Sequence, residues 1–549
     1  MVRAQGSKYI MQLMPLLEEF LAQPDRGSEA HDRMREGAVI LLGSLAQHLS
    51  ASDKRVTGAV QNLVATLSTP SESVQIAVAG CLPPLVRRLP AAEGSSLIQS
   101  LLQSLIGEGS YAERRGAAYG LAGAVKGKGL RALYKLRVID AIEEACNDKK
   151  NVQARQGALF ALETFPMLMG RLFEPYVVRV IQLLLAGFSD PNAGVREAAT
   201  DASRVIMGKL TAFGLKQVLP ILLKGLASDQ WRTKKGSVEM LGSMAFCAPR
   251  MLSRSLPTIV PEIVNAVTDS HMQVATAARQ ALEDFGGVIH NPEVQAIVPK
   301  ILAALADPNL NTSAALNSLI ATAFVHYIDA PSLALVMPVL HRGMQERAAA
   351  IKRQAAQIVG SMATLTETQD LVPYLSSLVP LLRKVLIDPV PETRATSARA
   401  LGSLVAKLGE SRFPGLIADL LRTLRSDKPG ADRSGAAQGL SEVLAGIGIE
   451  RLETLMPEIV SSCSSSSHSV RQGFMTLMIF LPVTFGDSFE PYLTQVLPPI
   501  LTNLADENEP TREASMRAGR ILVIQFAQSA SNLFLDEFMQ GLNSRMWRT

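Results

Sequence analysis

The sequence predicts an all-α fold, an α-solenoid in which about thirteen antiparallel helix pairs stack into a curved superhelical rod. Three observations in one phase predict it. The first is an apolar pattern that returns about every forty residues. With Val195 as register mark, equivalents fall at Met34, Val74, Arg114, Ala154, Thr233, Val274, Thr312, Ile351, Thr393, Asp432, Val470 and Thr511, in steps of 38 to 42 residues. The second is an Asp five residues before the mark at Asp190, Asp269, Asp307, Asp388, Asp427 and Asp506, and four before it at Asp229. The third is a Pro thirteen before the mark at Pro220, Pro261, Pro299, Pro338, Pro380, Pro457 and Pro498.

The template repeat is Asp190 to Ile206, DPNAGVREAATDASRVI. Asp190 is expected to cap the new helix, with Pro191 at a first-turn position that needs no amide hydrogen. Val195, Ala198, Ala199, Ala202, Val205 and Ile206 recur at three-and-four spacing and so share one helix face. Pro175 to Phe188 reads as the partner helix, and the phased prolines bend or start that first helix of each pair. The repeat at Thr312 is the weakest, with Asn309, Asn311, Thr312 and Ser313 at its turn and no basic partner. The Ser-rich run Ser461 to His468 falls where an inter-helix loop belongs. No long linker interrupts the pattern, so residues 1–549 read as one continuous domain. Met546-Trp-Arg-Thr549 matches Gln230-Trp-Arg-Thr233 in phase, so the chain is expected to be truncated at its C-terminal end, a piece of something longer.

Composition narrows the function. Hydrophobic residues make up 47% and aromatics only 5%, which suits close packing through Ala, Gly, Leu and Val. Cys81, Cys146, Cys247 and Cys463 lie far apart with no CxxC pair, arguing against disulfide or zinc frameworks and for a reduced, cytoplasmic setting. No charge-free run approaches membrane-spanning length, and Glu18 and Glu19 interrupt any signal-peptide core. The run Gly116 to Gly129 fails as a P-loop: Ala122 stands five residues before Gly127-Lys128, and Gly129 replaces the required Ser/Thr. Close helix packing explains it and its counterpart Arg433 to Leu440. No HExxH, GxSxG or Cys/His pairing is present. No catalytic, cofactor or metal site is expected, and function falls to the surfaces.

Charge selects which surfaces. A basic residue follows the mark in most repeats, and the expected role is a structural ladder in which each reaches the turn aspartate of its own or a neighbouring repeat, with Asp190, Arg196, Asp388, Arg394, Asp427, Arg433, Asp506 and Arg512 among its members. The basic residues outside that ladder are Lys126, Lys128 and Arg131 (with Lys135 and Arg137), Lys149 and Lys150, Arg232 and Lys235 flanking Trp231, and Arg342, Arg347 and Arg353. Turn-borne charge along one edge would seat a phosphate backbone, although a solvated edge accounts for the same residues equally well. Residues 111–160 carry ten Lys/Arg against five Asp/Glu, whereas 441–549 carry seven Arg and no Lys against twelve Asp/Glu. Trp231 and Trp547 read as packing anchors, and Ser464 to Ser467 as a solvated loop rather than a phosphosite.

The period, Asp turn and following VR-like pair resemble HEAT repeats. Ser228 to Leu241 (SDQWRTKKGSVEML) and His341 to Ala356 (HRGMQERAAAIKRQAA) resemble the HEAT region of the fungal-type third translation elongation factor, over roughly residues 155–405. Along almost the whole chain, Tyr111 to Gly123, Leu172 to Tyr176, Phe324 to Leu335 and Asp432 to Leu440 are similar to the giant general-control translational activators. That resemblance implies a noncatalytic, ribosome-bound scaffold that helps activate the kinase of initiation factor two alpha, with an ATP-binding-cassette partner. The elongation factor's nucleotide-binding cassettes are absent here. The resemblance also implies that kinase contact lies outside this chain. The competing expectation is a protein-binding solenoid such as a nuclear transport receptor, which a small-GTPase pull-down would reveal.

Overall fold

The computed structural model describes residues 2–24, 27–50, 53–247 and 249–542. Helices dominate, and no strand occurs among the described residues beyond the isolated bridge between Ile328 and Thr366. Two compact units form: Met1–Leu252 with Glu262–Asp284, and Ser253–Pro261 with Phe285–Thr549. Each is a stack of antiparallel helix pairs, the all-α solenoid architecture expected from the repeat.

In the first unit the second helices of successive pairs are Glu29–Ala46, Glu72–Val86, Tyr111–Lys128, Val152–Met169, Ala193–Lys209 and Trp231–Cys247, each packed against the next. In the second unit Pro308–Ala321, Ala349–Leu365, Pro391–Leu408, Gly430–Ile447, His468–Phe485 and Glu509–Phe526 hold the same position. A second helix touches its own first helix and the second helices on both sides, so it is buried over most of its circumference. Tyr119, Phe160, Phe165 and Phe474 all lie inside this layer.

The glycines of the failed P-loop pattern explain how closely the layers approach. A Cβ on Gly116 would sit 1.9 Å from the Leu67 carbonyl oxygen, and one on Gly435 1.8 Å from that of Leu386. Gly157 and Gly473 meet Leu105 and Leu424 in the same way, at 2.0 and 2.3 Å. In each case a second helix is pressed onto the C-terminal carbonyls of the preceding pair's first helix, and only hydrogen fits between them.

The turns differ from expectation in one respect. Asn192, not Asp190, caps Ala193–Lys209: its side chain accepts from the N–H groups of Gly194 and Val195. Pro191 therefore precedes the helix. Asp190 instead accepts the Asn192 N–H at 2.8 Å, an Asx turn that aims the cap. Asp506 holds Asn508 likewise, and Asn508 caps Glu509–Phe526.

The phased prolines lie inside their first helices, as at Pro220, Pro299, Pro338 and Pro457, and none of them starts one. Ser461 and Ser462 extend the helix Ile449–Cys463, leaving only Ser464 to Ser467 as turn. Trp547 and the C-terminal motif around it lie outside the described residues.

Candidate nucleic-acid interface

The ladder runs forward by one repeat. Arg155 grips Asp190 (Nε–Oδ2 2.7 Å), Lys234 grips Asp269 (3.0 Å), Lys352 grips Asp388 (2.6 Å) and Arg471 grips Asp506 (2.5 Å). Each bond therefore staples a second helix to the next pair's turn. Arg196, Arg394 and Arg512 donate instead to the backbone of their own turns, to the carbonyls of Asp190, Asp388 and Asp506 at 2.7 to 2.8 Å.

Asp427 and Arg433 correct the expected pairing. Asp427 is exposed without an ion pair among the described residues, because Arg394 precedes it by only 33 residues and stays on its own turn. Arg433 meets no aspartate in the Ser-rich turn ahead. It bonds Gln472 Oε1 at 2.6 Å and the carbonyls of Ser426 and Lys428.

Electrostatics follow the geometry. Asp269 is held below the usual carboxylate range by the His271 N–H and the Lys234 ammonium. Burial alone would raise Asp388 and Asp506. Lys352 and Arg471, with the N–H groups of Val390 and Asn508, outweigh it and lower both.

The candidate contact residues do not share one edge. Lys126 donates to the Leu168 carbonyl at 2.7 Å, at the C-terminal end of Val152–Met169, whereas Lys149 and Lys150 immediately precede that helix's N-terminus. Eighteen helical residues, roughly 27 Å, separate the two ends. Lys126, Lys128 and Arg131 thus occupy the edge of turns between pairs. Lys149, Lys150, Arg232 and Lys235 occupy the edge of turns within pairs, as do Arg342, Arg347 and Arg353 in the second unit. Closeness in sequence concealed this, because Val138–Asn147 carries the chain from one edge to the other.

Nor are the candidates equally free. Lys128 is half-buried, donates to the Leu89 carbonyl at 2.6 Å, and is pushed below the ordinary lysine value by burial. Gly94 makes room for it, since a Cβ there would lie 1.9 Å from Lys128 Cε. Lys235 pairs with Glu239 at 3.1 Å. Arg232 covers one face of Trp231, 4.5 Å from the ring centroid, and the Trp231 indole also stacks on His271 of the next repeat at 3.9 Å. Trp231 is thereby engaged in inter-repeat packing. Arg131, Lys149, Arg342, Arg347 and Arg353 are exposed, with no side-chain partner among the described residues, as is the Lys150 ammonium.

Two features escaped the sequence. Arg115 is no ladder residue: it bridges Glu163 (2.8 Å) and Glu72 (2.9 Å), and its guanidinium lies 5.2 Å from the Phe160 ring. Tyr119 donates to Glu72 at 2.7 Å, so three consecutive pairs share one polar network. The second feature is Tyr134, an exposed ring among the basic residues. A period search sees only buried positions, and Tyr134 belongs to a linker.

A trough of about 640 Å³ follows the within-pair turns, walled by Lys149, Asp190, Gln230 and the thiol of Cys146, whose pKa burial pushes up to about 12. No cluster of His, Cys, Asp and Glu among the described residues is placed to hold a metal ion. No described helix is long and apolar enough to cross a membrane.

Stacked helix pairs joined by an Asp-turn ladder, with basic turns at both edges, define a HEAT-repeat solenoid. The chain belongs to the EF3 N-terminal HEAT repeat family, whose model matches residues 114–282 and 433–549. Residues 311–414 match the elongation factor 3/GNC1 HEAT repeat, and residues 1–47 match the HEAT repeats of the stalled ribosome sensor GCN1.

Over 549 residues the chain is 48% identical to "Stalled ribosome sensor GCN1" of Homo sapiens, covering 100% of this chain and 20% of that protein. It is 43% identical over 545 residues to "eIF-2-alpha kinase activator GCN1" of Saccharomyces cerevisiae, covering 99% and 20%. Identity to "Elongation factor 3" of Gonapodya prolifera is 30% over 383 residues, covering 69% and 34%. The chain thus spans a fifth of the length of the GCN1 relatives. Among solved structures it is similar to Kap121p, at 16% identity and TM-score 0.32, covering 91% of this chain and 48% of that one.

Proposed function

We propose that this chain is a noncatalytic ribosome-docking section of a cytoplasmic scaffold that promotes activation of the initiation-factor-two alpha kinase when translation stalls. The observation that carries the reading is the 48% identity, over the whole of this chain and a fifth of the relative, to a protein named as a stalled ribosome sensor. Exposed, unpartnered cations at the turns support it, because counterion release from RNA phosphates is available only to charges not already held within the protein. In this reading the kinase is contacted by regions outside the chain, and an ATP-binding-cassette protein acts alongside.

The test reverses charges that do nothing inside the fold. Arg131→Glu, Lys149→Glu and Lys150→Glu together should reduce co-sedimentation with purified ribosomes at low salt and flatten its salt dependence, by roughly 0.7 to 0.9 in log–log slope for each phosphate no longer neutralised. Equal sedimentation of variant and parent across the salt series would rule the reading out for these residues.

A further inference from the structure

The short helix Arg131–Lys135 links Tyr111–Lys128 to Val138–Asn147. Its backbone is tightly constrained. Gly129 at φ 88 precedes it, and Arg137 at φ 52 follows it, in a left-handed conformation that residues other than glycine rarely take. Ala132 and Leu133 dock inward at 9% and 1% exposure.

Arg131, Tyr134 and Lys135 stand at positions i, i+3 and i+4 and share the outward face. Tyr134 is 84% exposed. None of the three side chains has a hydrogen bond or ion pair among the described residues. The nearest carboxylates in the following sequence are already engaged: Asp140 and Glu143 take Arg179 at 3.0 and 2.6 Å, and Glu144 faces Arg137 at 3.8 Å. No acidic residue lies between Glu113 and Asp140.

We propose that Arg131, Tyr134 and Lys135 form a contact for single-stranded RNA, with the Tyr134 ring stacking on an unpaired base and the two cations taking phosphates on either side. An aromatic platform flanked by unpaired positive charge suits a single strand, which offers base faces; a duplex keeps its base faces stacked inside. Tyr and Arg are also frequent in protein interfaces, whereas Lys is depleted at their desolvated centres; two cations with no facing carboxylate favour phosphates as the partner. The inference rests on the ribosome-docking reading and adds to it the kind of RNA recognised and an aromatic residue.

The experiment is fluorescence anisotropy with the full chain, a labelled single-stranded RNA of mixed sequence and a paired RNA of equal length. Tyr134→Ala should weaken single-strand binding about tenfold, with the salt slope unchanged and the duplex little affected. Tyr134→Phe should keep affinity within about twofold, because the ring stays. Arg131→Ala with Lys135→Ala should lower the slope by roughly 1.4, at about 0.7 per phosphate.

Parent-like binding by Tyr134→Ala overturns the proposal, and so does equal damage from Phe and Ala. Loss of ribosome co-sedimentation with RNA affinity intact overturns it too, reassigning Tyr134 to a protein surface. Failure of the docking reading is a separate outcome, absence of co-sedimentation by the parent chain itself.

Discussion

Arg155 is held at three points, by both oxygens of Asp190 at 2.7 and 3.3 Å and by the Asp148 carbonyl at 2.7 Å, with both charged side chains about nine-tenths buried. Removing one member leaves the other's charge unpaired with little solvent access, which is costlier than replacing the pair by apolar groups. Arg155→Ala should therefore destabilise the repeats on either side by about 3 kcal/mol. Faster hydrogen exchange in Val152–Met169 and Ala193–Lys209 would register it, and unchanged exchange would show that the pair contributes little.

The ladder also sets an acid limit. Asp269, Asp388 and Asp506 have folded-state pKa values below their unfolded values. Their contribution is complete above the unfolded carboxylate pKa of about 3.9 and is lost as pH falls through the lower folded values. The part of Tm that the ladder supplies, read as the difference between the parent and a variant lacking these carboxylates, should stay level from pH 7 to about 5 and vanish below about 4. Asp388→Asn with Asp506→Asn should lower Tm at pH 7 and flatten that acid limb; a limb as steep as the parent's would place its origin elsewhere.

The aspartates were legible in the sequence because they recur, and so were the basic residues one repeat back. Which basic residue each one holds was not. A separation of six residues and one of 35 are equally periodic, and only side-chain reach distinguishes them.

At the scale of the helix, glycine has two opposite effects in this chain. Gly435 lies in Gly430–Ile447 with a backbone carbonyl where its Cβ would go, and backbone cannot rotate aside. Gly37 lies in Glu29–Ala46 with nothing within 4 Å of that position. Gly435→Ala should cost about 3 kcal/mol through forced separation of two helices. Gly37→Ala should gain about 0.5–1 kcal/mol, the helix-propensity difference alone. Urea titrations of the two variants should move in opposite directions; movement in the same direction would mean that propensity or packing alone governs both.

Sequence showed small residues in phase and their packing role, but not which ones touch backbone, since that depends on how far one helix slides along the next. The same sliding hid the two edges. Lys126 and Lys149 are 23 positions apart in the chain, yet a crossing helix puts them at opposite ends of Val152–Met169.

At the scale of the whole molecule, what matters is that the hydrogen bonds and ion pairs among the described residues reach no further than adjacent pairs. The ladder spans 35 or 36 residues, and the Arg115 network spans 43 to 48. Stability is then a sum of repeat and nearest-neighbour terms, and a lesion should spread one pair in each direction before fading. Within the second unit, Gly430–Ile447 packs on Pro391–Leu408 and on His468–Phe485, and the latter packs on Glu509–Phe526. Gly435→Ala should raise hydrogen exchange strongly in its own helix, clearly in the two neighbouring second helices and little in Glu509–Phe526. A uniform rise through all four would mean that the unit unfolds as one block, and the sum of nearest-neighbour terms would not describe it. A graded pattern has a consequence for docking. Each turn could then be tuned or lost with its neighbours intact, so under the proposed docking role charge reversals at Lys149 and at Arg347 should lower co-sedimentation with ribosomes additively in free energy, and a double variant no weaker than either single one would count against that role for these residues.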